Sequence, residues 1–260
     1  MKKTALVTGA GARLGRAMAL YLGERGYDVA VHYNTSSTGA DEVVAALEAM
    51  GQRGVAVQAD LLNENETQSL FSRAVAALGA PITCLVNNAS IFEHDTVETA
   101  TAESWDRHIG SNLRAPFILT QAMAKQGLAP LTDQNGDPKA SGLILNMLDQ
   151  RVRKLTPDFM TYTIAKMGLW AMTQTTAQAL APAIRVNAIG PGPTLQGAHQ
   201  TADGFEKQRA RVLLERGPNP EDITAALGYF LDAPSVTGQL LCTDGGEHLA
   251  WKTPDIHGFE

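Results

Sequence analysis

Hydrophobic and polar positions divide the chain into alternating short and long segments. Seven short runs are apolar or β-branched, which is typical of strands buried in a parallel sheet. They are Thr4–Thr8, Asp28–Tyr33, Val55–Gln58, Thr83–Asn87, Gly142–Met147, Arg185–Ile189 and Gln239–Cys242. The longer segments repeat apolar residues at helical spacing, over residues 13–25, 38–50, 64–78, 103–126, 157–181, 203–214 and 221–232. Strands that alternate with helices predict an α/β fold, with a doubly wound, seven-stranded parallel sheet and helices on both faces.

This alternation contains no evident linker or internal repeat, so residues 1–250 are expected to form a single domain. The polar, turn-rich stretches Gly127–Ser141 and Thr194–Gly204 are predicted to be surface loops. Residues 251–260 show no periodic pattern. This tail is expected either to fray or to dock on a neighbouring subunit.

Composition and charge exclude several classes of protein. Hydrophobic residues make up 44% of the 260 residues and charged residues 18%, which allows a sizeable core and argues against disorder. The net charge is -6, without a basic stripe, so nucleic acid is not an expected partner. The first apolar run ends after Val7, which is too short for a signal peptide, and no run is long enough to cross a membrane. The sequence therefore predicts a soluble, cytoplasmic protein.

The two cysteines and the histidines give no sign of metal binding. Cys84 and Cys242 lie in apolar runs and are expected to remain reduced thiols in the core. No cysteine or histidine spacing is that of a metal site, so none is predicted.

A glycine-rich turn follows the first predicted strand. Gly9, Gly11 and Gly15 stand in the sequence TGAGARLG, between a strand and a helix. Glycine lets the backbone turn tightly here and approach a pyrophosphate, and the free N–H groups of the helix start attract that anion. The turn predicts a dinucleotide site, with a plain glycine-rich turn as the alternative. It is not a phosphate loop of the Walker type, because no GK[ST] follows.

The end of the second strand bears on the choice of cofactor. NAD-binding domains usually place an acid there, and this chain has Tyr33. Because a carboxylate would repel a 2′-phosphate, its absence favours NADPH. Arg13, His32, Asn34 and Ser36 are candidates to hold that phosphate, Arg13 first, since a guanidinium matches phosphate geometry. Ser36 could instead cap the next helix.

Tyr162 and Lys166 are four residues apart in a predicted helix, which places them on one face. A free tyrosine has a pKa near ~10 and is a poor acid at neutral pH. A nearby ammonium is expected to lower that pKa and to let the pair deliver a proton to a substrate. Alone, the spacing is common by chance and would usually mark a solvated helix face.

With these motifs the chain resembles the short-chain dehydrogenase/reductase family over nearly its whole length. The resemblance rests on the glycine turn, NNAS at Asn87–Ser90, Asn112, the Tyr162/Lys166 pair, RVNAIGPG at Arg185–Gly192 and TDGG at Thr243–Gly246. It implies a Rossmann fold, a nicotinamide cofactor, hydride transfer, a loop at about 194–217 that covers the substrate, and a homotetramer packed through long helices.

The resemblance also implies roles for single residues. Asn87 and Ala89 would line the adenosine ribose, Asp60 would contact the adenine, Asn112 would hold a proton-relay water, and Pro191 and Gly192 would back the nicotinamide. The full implied cofactor set is Gly9, Gly11, Arg13, Leu14, Gly15, His32, Tyr33, Asn34, Ser36, Asp60, Leu61, Asn88, Ala89, Ser90, Tyr162, Lys166, Pro191 and Gly192.

Two departures from the family pattern resemble its pteridine reductase branch. Arg13 stands where a glycine is usual, and Asp149 stands where the family has its catalytic serine, 13 residues before the tyrosine. A carboxyl beside a tyrosine suits protonation of a ring nitrogen better than polarisation of a carbonyl. The branch implies Asp149, Tyr162, Lys166 and Asn112 as the catalytic set. It implies Arg13, Ser90, Phe92, Asp149 and Tyr162 as the pterin-binding set, with Phe92 stacked on the ring.

The sequence therefore predicts an NADPH-dependent reductase of dihydropterin or dihydrofolate. One alternative is reduction of another carbonyl compound, such as a 3-oxoacyl thioester or a sugar. The other is a dinucleotide-binding scaffold or sensor without catalysis, against which the Tyr162/Lys166 pair argues. Arg151, Arg153 and Lys154 could meet the anionic tail of a folate, or could form a solvated loop.

Overall fold

The computed structural model describes residues 2–197 and 200–251. Its main sheet has seven parallel strands in the order β3-β2-β1-β4-β5-β6-β7. They are β1 (Thr4–Val7), β2 (Asp28–Tyr33), β3 (Gly54–Gln58), β4 (Cys84–Asn87), β5 (Gly142–Met147), β6 (Ile184–Pro191) and β7 (Leu240–Thr243). The predicted fold class is confirmed.

The described chain contains eight α-helices, and all but α4 and α7 pack directly on the two faces of this sheet. They are α1 (Arg13–Glu24), α2 (Ser37–Ala49), α3 (Glu64–Leu78), α4 (Ala102–Ile109), α5 (Ala115–Lys125), α6 (Met160–Leu180), α7 (Ala202–Ala210) and α8 (Pro220–Asp232). No helix of residues 2–197 and 200–251 is both long and apolar enough to cross a membrane.

The core lies on both faces of the sheet, because the side chains of a strand alternate between them. On one face, Ala5 and Val7 of β1 pack with Met18 and Leu22 of α1. On the other face, Leu6 of the same strand packs with residues of α3 and α5. The five inner strands are buried on both sides, which explains why they appear in the sequence as continuous apolar runs, whereas the edge strands β3 and β7 are partly exposed.

Three predicted helices differ from the structure by more than two residues or by a break, while the other predicted ends lie within two residues of those observed. The helix expected over 103–126 is divided into α4 and α5 by a π-helical turn, Gly110–Arg114. The helix expected from 157 begins at Met160, after Phe159 with a left-handed φ of 58°. The helix expected over 203–214 ends at Ala210.

The predicted loop Gly127–Ser141 contains a small hairpin. Leu131–Thr132 pairs with Pro138–Lys139 in antiparallel fashion. Asp133 closes the turn by accepting from the N–H groups of Asn135 (2.8 Å) and Asp137 (2.9 Å). Two-residue strands are too short to show alternation, so the polar sequence reads only as a loop.

The carboxyl ends of the strands form one edge of the sheet, and the order of the chain reverses between β1 and β4. In open α/β sheets, ligands bind in the crevice at this point. The glycine turn follows β1, and Asp149 follows β5, at this same edge. Of the predicted substrate loop, Ala198 and His199 lie outside the described residues, as does the predicted tail beyond Trp251.

Candidate active site

The glycine turn after β1 folds back against the start of α1. Gly9 has a φ of 64°, which favours glycine. A Cβ on Gly15 would lie 2.1 Å from the Gly9 carbonyl oxygen and 2.6 Å from Nδ2 of Asn88, so no larger residue fits there. The turn is therefore a cradle in which backbone amides of the helix start are open to an anion.

The end of β4 is tied to this turn. The Thr8 hydroxyl accepts from the N–H groups of Asn88 (2.9 Å) and Ala89 (3.0 Å), and Nδ2 of Asn88 donates to the Thr8 carbonyl (2.8 Å). The predicted cofactor residues Asn88 and Ala89 are thus brought against the glycine turn. Buried Asn87 donates to Oδ1 of Asn146 (2.8 Å), and Oδ1 of Asn87 has no hydrogen-bond partner in the described chain.

His32 is placed differently from the prediction. Its ring is 2% exposed, accepts at Nδ1 from the Gly9 N–H (2.9 Å) and donates from Nε2 to the Ala59 carbonyl (3.1 Å). Burial lowers the pKa of His32 to about 4, so the ring is neutral. Both nitrogens are used inside the protein, which argues against the prediction that His32 touches a 2′-phosphate. It fixes the turn instead.

The other residues predicted for the adenosine end are accessible. Asn34 and Ser36 are exposed beyond β2, and Tyr33 at the strand end is partly exposed. Ser36 occupies the position before α2, but its side chain makes no capping hydrogen bond. Asp60 and Leu61 follow β3 and are partly buried; Oδ1 of Asp60 accepts from the Leu62 N–H (3.0 Å).

Arg13 reaches from the glycine turn to the predicted substrate loop. Its guanidinium donates to the carbonyls of Leu195 (3.1 Å) and Gln196 (2.9 Å). It has a left-handed φ of 52° at the start of α1. Leu14, the next residue, is partly buried against the core. Arg13 therefore stands between the two binding regions predicted for it.

Tyr162 and Asp149 are in direct contact. The Tyr162 hydroxyl donates to Oδ2 of Asp149 over 3.0 Å, while Oδ1 accepts from the Arg151 N–H (2.8 Å). Lys166, one turn further along α6, donates from Nζ to the Met147 carbonyl (2.7 Å) and lies 5.6 Å from the Tyr162 ring centre. The β5 end and one face of α6 thus bring a phenol, a carboxyl and an amine together.

The electrostatics of this group differ from the sequence-based expectation. Burial raises the pKa of Tyr162 well above its usual 10, and Asp149 raises it further, so the predicted lowering by Lys166 is wrong. Burial also raises the pKa of Asp149, against the opposing effect of Arg151. Burial lowers the pKa of Lys166 to about 8, although Asp149 opposes this. Tyr162 is a neutral phenol that can give a proton.

Pro191 and Gly192 end β6 beside the TDGG motif. The Gly192 N–H donates to the Thr243 carbonyl (3.0 Å), and a Cβ on Gly192 would lie 2.7 Å from the Cα of Asp244. Two strand ends approach closely here, and only glycine allows that approach.

Comparison with known proteins agrees with this geometry. A sequence profile described as enoyl-(acyl carrier protein) reductase matches residues 9–248. A 3-oxoacyl-[acyl-carrier-protein] reductase of Staphylococcus epidermidis is 31% identical over 254 residues, covering 96% of this chain and 100% of that protein. The chain belongs to the short-chain dehydrogenase/reductase family. A 3β-hydroxysteroid dehydrogenase of Eggerthella lenta is 34% identical, covering 95% of this chain and 94% of that protein.

Solved structures of the short-chain dehydrogenase/reductase family include a more similar protein. The crystal structure of alternative dihydrofolate reductase 1 from Brucella suis, in complex with NADP, has a TM-score of 0.90 and 40% identity. The match covers 98% of each chain.

Asn112, a motif residue of the short-chain dehydrogenase/reductase family, lies in the π-helical turn. Its side-chain amide donates to the Ile91 carbonyl and accepts from the Ile91 N–H, both at 2.8 Å. Both polar ends of the side chain are therefore used to hold the segment after β4. The relay water predicted for Asn112 stays a prediction.

Phe92 forms part of an aromatic platform beside Tyr162. Its ring is 47% exposed, stacks on Phe159 at 4.3 Å with 7° between the planes, and meets Tyr162 edge-on at 4.8 Å. Exposed Ser90 follows β4 nearby, and its hydroxyl opposes the rise in the pKa of Tyr162 through a hydrogen bond. Sequence reasoning missed Phe159. Its position depends on a left-handed backbone conformation, which is rare for a residue other than glycine and which the sequence does not indicate.

The basic cluster after Asp149 is engaged within the protein. Arg151 donates to the Thr156 hydroxyl (2.7 Å) and lies 4.8 Å from the Phe159 ring centre. Lys154 reaches the Glu247 carbonyl at 3.5 Å. Sequence reasoning did not single out Glu247. Its side chain is partly buried, and this burial raises the pKa of its carboxyl.

Proposed function

We propose that this protein reduces a pteridine ring with hydride from NADPH, converting a dihydropterin or dihydrofolate to the tetrahydro form. The chain is an NADP-dependent oxidoreductase of the short-chain dehydrogenase/reductase family, and the pterin substrate is the finer part of the proposal. It rests on one observation above all: the Asp149 carboxyl, at the position of the family serine, accepts a hydrogen bond from Tyr162 over 3.0 Å.

The compared proteins favour different substrates. The Brucella suis neighbour, at 40% identity, is named as an alternative dihydrofolate reductase and was solved with NADP. The Staphylococcus epidermidis relative, at 31%, is named as a 3-oxoacyl reductase. Reduction of a carbonyl substrate is therefore the second candidate. Asp149 and exposed Phe92 favour the pterin.

The residues present fit a dinucleotide. The cradle of Gly9, Gly11 and Gly15 would receive the pyrophosphate at the start of α1. Glycine is needed at these positions because a Cβ on any of them would crowd neighbouring backbone and open the turn. The buried, unpaired Oδ1 of Asn87 could accept a ribose hydroxyl, which would satisfy its hydrogen-bonding capacity. Pro191 and Gly192 would back the nicotinamide, and Lys166 would bind its ribose. When bound, NADPH supplies the hydride to a ring carbon.

The protein supplies the proton. Tyr162 is a neutral phenol that donates to Asp149 in the structure. When Asp149 is protonated, this hydrogen bond would reverse, with the carboxyl donating from Oδ2 to the phenol oxygen, so that Asp149 can pass a proton to that oxygen as the phenol gives its own to a ring nitrogen. Because one hydrogen bond joins them, the two groups titrate as a pair. Arg151 holds the carboxyl in place through its N–H.

The aromatic platform and Arg13 would hold the substrate. The free part of the Phe92 ring offers a flat apolar surface, which suits stacking of a heterocycle. Ser90 lies just after β4 and Arg13 at the start of α1, and their donors would meet polar ring atoms, with Arg13 exchanging its bonds to the Leu195 and Gln196 carbonyls for the substrate. A planar pterin uses such a site better than a flexible thioester does.

The test of this proposal is NADPH oxidation by the purified protein with dihydrobiopterin, dihydrofolate and acetoacetyl-CoA, followed by absorbance. Turnover of a dihydropterin at a kcat/KM above that for acetoacetyl-CoA is expected. Reduction of acetoacetyl-CoA alone would assign the chain to the carbonyl reductases. Cofactor binding without turnover of any of the three would support a scaffold or sensor.

Replacing Tyr33 by Asp is expected to reverse the cofactor preference. A carboxylate at the end of β2 repels a 2′-phosphate and accepts ribose hydroxyls, so the Kd for NADPH should rise at least about tenfold relative to that for NADH. Tyr33→Asn is the matched control, because it removes the ring without adding charge. Fluorescence titration with both cofactors measures the effect. If the ratio of the Kd for NADPH to the Kd for NADH were the same in Tyr33→Asp and Tyr33→Asn, the assignment of Tyr33 to the 2′-phosphate end of the cofactor site would be contradicted.

We also propose that the protein is a cytoplasmic homotetramer. The long helix pair implied as the subunit interface, α5 and α6, exposes the apolar residues Phe117, Ile164 and Met167. A second copy of the chain would bury them.

A further inference from the structure

Phe92 lies in the segment of residues 91–95, which is hydrogen-bonded to one stripe of α4 and the π-helical turn. The stripe consists of Ser104, His108 and Asn112. The Ile91 backbone bonds to Asn112, the Glu93 N–H donates to Nε2 of His108 (3.2 Å), and Oδ2 of Asp95 accepts from the Ser104 hydroxyl (3.0 Å). The stripe residues are four apart, about 6 Å along a helix, and their partners are two apart, about 6.6 Å in extended chain. The two spacings match, so alternate residues of the segment face the stripe.

The residues between the hydrogen-bonded positions, Phe92 and His94, face the start of α6. Phe92 stacks on Phe159 at 4.3 Å, and the His94 ring meets Phe159 edge-on at 5.0 Å. The stripe therefore determines which side of the segment presents its rings to the site.

Asp95 also caps the start of α6. Its Oδ1 accepts from the Thr161 N–H (3.1 Å), its Oδ2 accepts from the Thr161 hydroxyl, and its carbonyl accepts from the Met160 N–H (3.2 Å). Phe159, the residue before the helix, has a left-handed φ and makes no side-chain cap. Asp95, 2% exposed, thus satisfies helix N–H groups that would otherwise be unpaired. Thr161 directly precedes Tyr162.

The hydrogen bonds around His108 have a defined direction. Nε2 accepts from the Glu93 N–H, so Nδ1 carries the proton and donates to the Thr161 hydroxyl (2.7 Å), which in turn donates to Asp95. His108 is fully buried, and burial lowers its pKa, opposed by Asp95 and Glu93 and assisted by Arg107. The ring is therefore neutral, in a single tautomer.

We propose that Asp95, Thr161 and His108 are positioning residues for the reaction, joining the Phe92 segment to the start of α6 so that the Phe92 ring and the Tyr162 hydroxyl keep a fixed relation. None of the three touches the reacting atoms. This inference rests on the proposed function only in that Tyr162 gives the proton and Phe92 meets the substrate.

The decisive comparison is Thr161→Val against Thr161→Ser. Valine keeps the shape of threonine and the helix N–H but removes the hydroxyl between His108 and Asp95, whereas serine keeps that hydroxyl. We expect kcat to fall at least about tenfold in Thr161→Val and to recover to within about threefold of wild type in Thr161→Ser, since small misplacements of reacting groups are costly. The Kd for NADPH should change less than about twofold. Thr175→Val, at an exposed position of α6, is the control and should behave as wild type.

A second readout does not depend on any substrate. Nitrogen-15 NMR of the histidine rings should show the His108 proton on Nδ1 in wild type and in both variants, because the Glu93 N–H still occupies Nε2. The Nδ1 chemical shift should change in Thr161→Val, where the hydroxyl acceptor is lost, and stay close to wild type in Thr161→Ser. If Thr161→Val does not fold, Asp95→Asn takes its place in both measurements. Equal kcat values in the valine and serine variants, or an unchanged His108 Nδ1 chemical shift in the valine variant, would overturn the proposal. If wild type reduces only acetoacetyl-CoA, the pterin function fails, and the same variants are compared with that substrate.

Discussion

Tyr162→Phe should reduce the turnover of a dihydropterin on the order of a thousandfold, within the range measured for loss of a general acid. The phenylalanine ring keeps the edge-on contact with Phe92 at 4.8 Å and loses only the hydroxyl. The platform and the glycine cradle remain, so NADPH should bind as in wild type. The loss should therefore fall on kcat, with little change in the Kd of the cofactor.

Single-turnover oxidation of bound NADPH measures this effect directly. Tyr229→Phe is the matched control, because it makes the same change at an exposed position of α8 and should leave the rate unaltered. A Tyr162→Phe rate within tenfold of wild type would mean that Asp149 alone supplies the proton. The pH profile separates the two groups further. Because burial and Asp149 raise the pKa of Tyr162 well above 10, wild type should show no limb from tyrosine ionisation near neutral pH.

The fold could be predicted because its determinants are local. The five inner strands of the main sheet are buried on both faces, so they appear as apolar runs, and the helices between the strands repeat apolar residues at helical spacing. The π-helical turn at Gly110–Arg114 could not be predicted, since it lies within one continuous helical pattern. Its role depends on a contact between distant parts of the chain, because the turn places Asn112 opposite the Ile91 backbone.

The residues of the candidate site could be predicted from the sequence better than the shifts in their pKa values. Glycine spacing and family position were enough to find the cradle and the group of Asp149, Tyr162 and Lys166. The predicted direction of the shift in the pKa of Tyr162 was wrong, because the burial of the phenol and its contact with Asp149 are properties of the packed structure. His32 was misread for a related reason: a histidine at a strand end can face a ligand or the core, and only packing decides.

Asp149→Asn should abolish most of the pterin reductase activity, by about a hundredfold or more, without disturbing the local fold. Asparagine caps a helical turn as well as aspartate does, so the hydrogen bond from the Arg151 N–H should persist. What disappears is the carboxyl that accepts from Tyr162 and, when protonated, replaces the proton that Tyr162 gives away. Asp41→Asn, at an exposed position of α2, is the control.

The pH dependence of kcat/KM in wild type and in Asp149→Asn tests whether the Asp149 carboxyl carries the proton. In wild type the protonated carboxyl is the active form, and burial raises its pKa, so kcat/KM should fall as pH rises through that raised pKa. In the variant this limb should vanish. The limb that remains belongs to Lys166, whose pKa of about 8 loses the raising effect of the carboxylate and should move to lower pH. If the variant kept the wild-type profile at a uniformly lower rate, Asp149 would act by holding Tyr162 in place and would not carry the proton.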